Sequence, residues 1–153
     1  MPTAPPRPVF PTAVFLGDSV TTGWRSLSHP RNRWTSLVCE HLRWREVNLA
    51  ADGMGFFVRR GGHLPGGGRS PSCRDSTWLE TAVRAEPDVL TVCLGLSSSD
   101  AATRAVAGDA AKLAADGIHP DDAGPAAAIA RAMIGVYRRL APSLCGRAGA
   151  PAR

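Results

Sequence analysis

Three short apolar segments of the chain each end in glycine or in small polar residues. Residues 13–17 (AVFLG) and 89–95 (VLTVCLG) are continuous apolar runs, and residues 45–50 (REVNLA) are a weaker example of the same pattern. Short apolar runs that stop at glycine are typical of strands buried on both faces of a parallel sheet. The sequence therefore predicts three parallel strands, with a loop at the carboxyl end of each.

Helical patterns lie between these segments and after the last of them. Apolar residues recur at helical spacing over residues 32–43 and again over residues 124–140. Between the second and third strands, Thr77 and Glu80 have the spacing of a capping box, and Pro87 ends that helix. This alternation predicts an α/β fold of three layers, in which a parallel sheet carries helices on both faces.

The chain length of 153 residues is enough for one domain with a substantial core. Residues 1–12 and 142–153 are rich in Pro, Ala, Gly and Arg. We therefore expect one domain at residues 13–141, between a disordered or extended N-terminal tail and a C-terminal tail. The glycine-rich residues 53–75 follow the second strand and predict a long loop at the carboxyl edge of the sheet, where open α/β folds place their sites.

The formal charge of +5 comes from arginines scattered along the chain, with Lys112 as the only lysine. A nucleic-acid binder more often concentrates such charge on one face and interleaves it with stacking aromatic side chains. We therefore expect a solvated surface and no nucleic-acid partner. No apolar stretch approaches the roughly 20 residues of a membrane span, and the N-terminus lacks the apolar segment of a secretory signal. These patterns predict a cytoplasmic protein with no membrane partner.

The four cysteines lack the paired spacing of a zinc site. Cys39 and Cys93 stand among apolar residues and are predicted to be buried free thiols. We expect no metal and no cofactor. Asp121 and Asp122 precede the last helix and are predicted to cap its N-terminus.

The first apolar run ends in a glycine, an acid and a hydroxyl in direct succession: Gly17, Asp18 and Ser19. The simplest interpretation is that Asp18 or Ser19 caps a following helix. A catalytic serine needs a general base and usually an acid that orients the base. Near the C-terminus, Asp116 stands three residues before His119. That spacing lets the carboxylate reach one ring nitrogen while the other faces outward.

In these motifs the chain resembles the SGNH hydrolases, also called the GDSL esterase and lipase family. GDSVTTG resembles the first block of the family and DGIHP its last block, while VNLAADG, with Asn48 and Gly53, is similar to its second block. The resemblance implies a flavodoxin-like α/β/α sandwich that needs no cofactor. It also implies Ser19 as the nucleophile, His119 as the base and Asp116 as the orienting acid.

The resemblance further implies hydrolysis of a small-molecule acyl ester through an acyl-enzyme, by a carboxylesterase, acylhydrolase or deacetylase. The amides of Ser19 and Gly53 would form the oxyanion hole, and Ser97 stands where the family has an Asn as the third donor. A hydroxyl can donate one hydrogen bond but reaches less far than a carboxamide.

Substrate contacts are expected from three residues near these blocks. They are Asp18, Phe56 and Phe57. The two phenylalanines would either line an acyl pocket or attach the long loop to the core.

The segment from Gly95 to His119 is shorter than in most family members, which predicts a sheet with fewer strands. One unbroken helix over residues 101–115 would carry His119 to the wrong edge of the sheet, whereas a break at Gly108 and Asp109 would return it. The third strand would lie at an exposed edge, which favours a homodimer through that edge. The same departures support an alternative function, a catalytically weak or inactive scaffold that serves binding or assembly.

Overall fold

The computed structural model of the protein describes residues 10–55, 76–94, 119, 121, 122 and 124–145. In chain order the strands and helices are β1 (Thr12–Gly17), α1 (Ser19–Thr22), α2 (Trp34–Leu42), β2 (Arg45–Asn48), α3 (Ser76–Arg84), β3 (Val89–Cys93), α4 (Pro125–Leu140) and α5 (Pro142–Cys145). All three predicted strands are present. The helices predicted over residues 32–43 and 124–140 are confirmed as α2 and α4.

The three strands form one parallel sheet in the order β2-β1-β3. Val14 of β1 pairs with Val47 of β2 on one side and with Leu90 of β3 on the other. All six residues of β1 are buried, as expected for the central strand. The order corresponds to the first three strands of the flavodoxin-like order 2-1-3-4-5. The predicted α/β fold is therefore confirmed.

One face of the sheet is covered by α2 and α4. Phe15 of β1 meets the edge of the Trp34 ring, with ring centroids 5.4 Å apart and nearly perpendicular planes. Tyr137 of α4 packs against Trp44, which directly precedes β2. Its hydroxyl lies 2.6 Å from the Thr91 hydroxyl of β3, so α4 reaches the edge strand of the sheet. These aromatic contacts form the larger of the two core clusters.

The opposite face is covered by α3, which places Ala82 against Val14 and Leu16 of β1. The helix begins at Ser76, so Thr77 lies inside its first turn and is not the N-cap that its spacing predicts. The crossover from β1 to β2 through α2 and the crossover from β2 to β3 through α3 run in opposite directions along the sheet, and right-handed crossovers in opposite directions place their helices on opposite faces. This explains why α2 and α3 enclose the sheet between them.

The outer part of this second face is exposed. Leu90 and Val92 of β3 point to the same face as Val14 and Leu16, because parallel partners share a face. They are 41% and 46% exposed, beside Leu79 and Val83 of α3, which are also exposed. Among the described strands, β3 is an edge strand with an apolar face.

Cys39 is a buried free thiol, as predicted, and burial raises the pKa of that thiol to about 12. Cys93 is free but exposed, because it lies on the edge strand β3.

At the C-terminus, α5 packs Leu144 against the core, and the Trp44 indole N–H donates to the Leu144 carbonyl at 3.2 Å. The packed core thus includes residues after 141, where the sequence predicts a tail. No helix in the described ranges is long and apolar enough to cross a bilayer.

Candidate functional site

The junction between β1 and α1 explains the succession of glycine, acid and hydroxyl. A side chain at Gly17 would place its Cβ only 2.3 Å from Thr21 Oγ1, so β1 and α1 can approach this closely only with glycine there. Asp18 is the N-cap of α1, and its Oδ1 accepts a hydrogen bond from the Val20 amide at 3.1 Å. Ser19 is therefore the first residue of a helix that begins at the carboxyl edge of the sheet.

Ser19 faces His119 at this edge. The Ser19 Oγ lies 2.8 Å from the His119 Nε2, although the two residues are 100 positions apart. Ser19 is half-buried, so its hydroxyl can be reached from solvent, whereas His119 is 7% exposed. With the ring proton on Nδ1, the serine hydroxyl donates to Nε2, which is the arrangement that a general base requires. The predicted proximity of these two side chains is observed.

The turn after β2 lies beside the same helix. The Ala51 amide donates to the Gly17 carbonyl at 2.9 Å, which extends the alignment of β2 with β1. The Thr22 hydroxyl donates to Asp52 Oδ1 at 2.5 Å and ties this turn to α1. Gly53 follows in the turn, exposed and with a φ of 74° that favours glycine. The structure thus brings the turn that carries Gly53 against the helix that carries Ser19.

The Asn48 side chain, at the end of β2, holds the turn after β2 and the neighbouring helices together by hydrogen bonds. Its side-chain amide donates to the Thr21 carbonyl at 3.1 Å and to the Thr35 hydroxyl at 3.2 Å, and its Oδ1 accepts from the Ala50 amide at 3.0 Å. One side chain therefore joins the end of β2 to both α1 and α2. Asn48 has a positioning role here, and all of its described contacts are to protein groups.

The segment after α1 also contacts the His119 region. The indole ring of Trp24 lies 5.1 Å from the His119 ring, measured between centroids. Further along, the Ser28 amide donates to Asp122 Oδ2 at 2.9 Å. Asp122 was predicted to cap the last helix, but the N-cap of α4 is Gly124 and no side chain caps it. That prediction is wrong, because Asp122 instead joins the His119 region to the loop that follows α1.

The other predicted site residues have different outcomes. Asp116, Ser97, Phe56 and Phe57 lie outside the described residues. Asp18 is 3% exposed and its carboxylate caps α1, and its substrate contact stays a prediction. Within the described residues, no group of three or more His, Cys, Asp or Glu side chains could hold a metal ion.

Three contacts of the site were not predicted: the ring contact of Trp24, and the hydrogen bonds that join Thr22 to Asp52 and Ser28 to Asp122. The tryptophan directly follows the GDSVTTG segment, so its position was a usable signal. The two hydrogen bonds join loops that are distant in sequence, and no local pattern indicates such pairs.

The comparisons with known proteins do not assign the chain to a family. No protein-family model matches it, and no curated protein is a significant match. The resemblance to the SGNH hydrolases therefore depends on the short sequence motifs alone.

Proposed function

We propose that the protein is a serine-dependent ester hydrolase of SGNH type, with Ser19 as the nucleophile and His119 as the general base. The observation that carries the proposal is the 2.8 Å contact between Ser19 Oγ and His119 Nε2. A half-buried hydroxyl next to a buried imidazole, at the edge where α/β folds place their sites, is the arrangement that acyl transfer to serine requires.

In the first half of the reaction, His119 Nε2 accepts the hydroxyl proton of Ser19 as Oγ attacks the carbonyl carbon of the ester. The tetrahedral intermediate then collapses, the bond from that carbon to the alkoxy oxygen breaks, and the alcohol leaves with the proton from His119. In the second half, water gives its proton to His119 and attacks the acyl-enzyme. The acid leaves, and Ser19 recovers its proton.

Two backbone amides are suited to hold the oxyanion. The Ser19 amide is the first of α1 and so has no acceptor within that helix. Neither it nor the Gly53 amide donates a hydrogen bond to any described residue. We propose both as oxyanion donors, each worth about 3 kcal/mol of transition-state stabilisation. Asp116 as the orienting acid and Ser97 as a third donor remain predictions from the sequence.

The test compares hydrolysis of p-nitrophenyl acetate by the wild type and by Ser19→Ala. We expect kcat to fall by at least about 10³-fold, because the nucleophile is removed. His119→Ala should show a loss of similar size. Ser143→Ala is the matched control, since this serine of α5 is exposed and makes none of the described contacts of the site, so the rate should be unchanged. Equal rates for wild type and Ser19→Ala would refute the proposal.

A catalytically inactive scaffold for binding or assembly is the competing function, and the exposed apolar face of β3 favours it. Leu90 and Val92 at an edge strand offer both apolar surface and unpaired backbone to a second chain. Labelling with a fluorophosphonate probe separates the two functions, because only an activated serine reacts. The predicted homodimer through this edge is tested by gel filtration, in which a clean monomer would count against it.

A further inference from the structure

Two exposed side chains stand next to the Ser19–His119 pair and have no part in the mechanism above. Trp24 is 39% exposed while its ring contacts the buried His119 ring at 5.1 Å. The guanidinium carbon of Arg25 lies 5.2 Å from the centroid of the Trp24 ring. The described surroundings of the imidazole therefore include a partly exposed apolar ring with a positive charge against that ring.

No described carboxylate neutralises the charge of Arg25. Arg25 forms no ion pair with any carboxylate of the described residues, and its described contact is with the face of the indole. Two acidic side chains of the same region, Asp52 and Asp122, are engaged by a threonine hydroxyl and by a backbone amide. The guanidinium presents five N–H donors in a planar fork that suits a carboxylate.

The spacing of these groups indicates what kind of ester fits. Because both ring contacts are about 5 Å, the guanidinium carbon and the imidazole centroid are no more than about 10 Å apart. Ser19 Oγ lies 2.8 Å from the His119 Nε2, and a hydrogen bond to the guanidinium adds a reach of about 3 Å. A short acyl chain of a few methylene groups is therefore the size of group that can have its ester carbonyl at Ser19 and a terminal carboxylate at Arg25.

We infer that Trp24 and Arg25 form the acyl side of the site and select esters whose acyl chain ends in a carboxylate, such as hemisuccinate and hemiglutarate esters. The inference rests on the proposed esterase function and specifies the substrate class of that site. In this arrangement the indole contacts the methylene groups, and Arg25 binds the terminal carboxylate while Ser19 attacks the ester carbonyl.

The experiment compares p-nitrophenyl hemiglutarate with p-nitrophenyl valerate, a neutral ester of the same acyl length. Arg25→Gln should lower kcat/KM for the hemiglutarate about fivefold and change the valerate less than about twofold, the size expected of an exposed ion pair. Added salt should weaken the preference of the wild type, because the contact is exposed. Arg139→Gln is the matched control, because it also removes one exposed positive charge. Arg139 lies near the end of α4, two residues after Tyr137, which packs on Trp44 at the edge of the sheet opposite to Ser19.

Variants of the ring test the other half of the inference. Trp24→Ala should raise KM for both esters and also abolish the preference for the hemiglutarate, since the guanidinium loses the surface that holds it. Trp24→Phe keeps an aromatic face and should retain part of the preference. The ratio of the two esters is the informative readout, because a general loss of structure would lower both rates together.

The outcomes distinguish failure of the inference from failure of the proposed function. If hydrolysis depends on Ser19 but Arg25→Gln leaves the ratio of the two esters unaltered, the inference is overturned and the esterase stands. If neither ester is hydrolysed, the esterase proposal fails, and binding of monomethyl glutarate to Ser19→Ala, measured by NMR titration, decides the inference. About fivefold weaker binding to the Ser19→Ala/Arg25→Gln double variant would support it, and equal binding would overturn it.

Discussion

Replacing Gly17 with alanine tests the reason for the glycine at the end of β1. The added Cβ would lie 2.3 Å from Thr21 Oγ1 and 2.5 Å from Thr21 Cβ, whereas nonbonded carbon atoms prefer about 3.5–4.0 Å. Thr21 is fully buried and cannot swing its side chain into solvent. Therefore β1 and α1 must separate by about 1 Å, and overpacking of this kind lowers the free energy of unfolding by about 1–3 kcal/mol.

Under the proposed esterase function, the same displacement should affect hydrolysis more than stability. Ser19 lies between Gly17 and Thr21, and its hydroxyl is 2.8 Å from His119 Nε2. A shift of about 1 Å takes this pair beyond the range of a good hydrogen bond. Misplacement by that amount typically lowers the rate about 10²-fold. We therefore expect a folded Gly17→Ala protein with a large loss of Ser19-dependent hydrolysis.

Urea unfolding followed by circular dichroism measures the stability change, with Gly135→Ala as the control. Gly135 lies inside α4, and a Cβ there would be 3.7 Å from Arg139 Nη1, an ordinary contact. Alanine should stabilise this position by about 0.5–1 kcal/mol, which is the opposite sign. The double variant Gly17→Ala/Thr21→Gly should be less destabilised than the sum of its single variants. A Gly17→Ala protein within about 0.5 kcal/mol of the wild type would refute the steric explanation.

Three further predictions concern single contacts. Asp18→Ala should lower the free energy of unfolding by about 1 kcal/mol, because the Val20 amide loses its capping acceptor. Asp18→Asn keeps an acceptor oxygen and should cost less. Equal unfolding midpoints for the two variants would contradict the capping role. Burial is the main cause that raises the pKa of Tyr137, the only tyrosine, to about 12, so its ultraviolet absorbance should titrate near pH 12 when folded and near 10 in urea. The buried, protonated Tyr137 hydroxyl should therefore add its full contribution to the free energy of unfolding below about pH 10, and this contribution should be lost as the pH rises towards 12. A Tyr137 absorbance that titrates near pH 10 while the circular dichroism signal is intact would contradict this prediction. The hydrogen bonds from Ser28 lower the pKa of Asp122, so the stability that this contact adds should be lost as the pH falls through the lowered pKa. The stability of Asp122→Asn should therefore fall less on acidification than that of the wild type. Identical acid unfolding curves for the two proteins would exclude the contribution.

The sequence predicted the fold well where a local pattern sufficed. A continuous apolar run located β1 because a strand buried on both faces has no polar position to interrupt the pattern. The run over residues 89–95 also located β3, although that strand is partly exposed, and the weaker pattern over residues 45–50 located β2. The apolar stripe over residues 124–140 located α4 because its spacing follows the helical repeat. The meeting of Ser19 with His119 followed from placing both motifs at the carboxyl edge of one sheet.

The contacts that the sequence did not predict depend on tertiary packing. Asp122 has the composition and place of a helix cap, yet its carboxylate meets the Ser28 amide, which is 94 positions away. Cys93 lies in an apolar run, but its strand is at the sheet edge and leaves it exposed. Leu144 lies in residues 142–153, which are rich in Pro, Ala, Gly and Arg, and only its packing against the core reveals that the fold extends to it.

Ser19 and His119 are 100 residues apart, so their contact can form only after the chain between them has folded. Closing a flexible loop of that length costs about 4 kcal/mol, far more than the roughly 1 kcal/mol that one hydrogen bond returns. The strand pairs and the α2–α4 contact must therefore close the chain before the two side chains can meet. In rising urea, hydrolysis by the proposed esterase should therefore be lost no later than the circular dichroism signal.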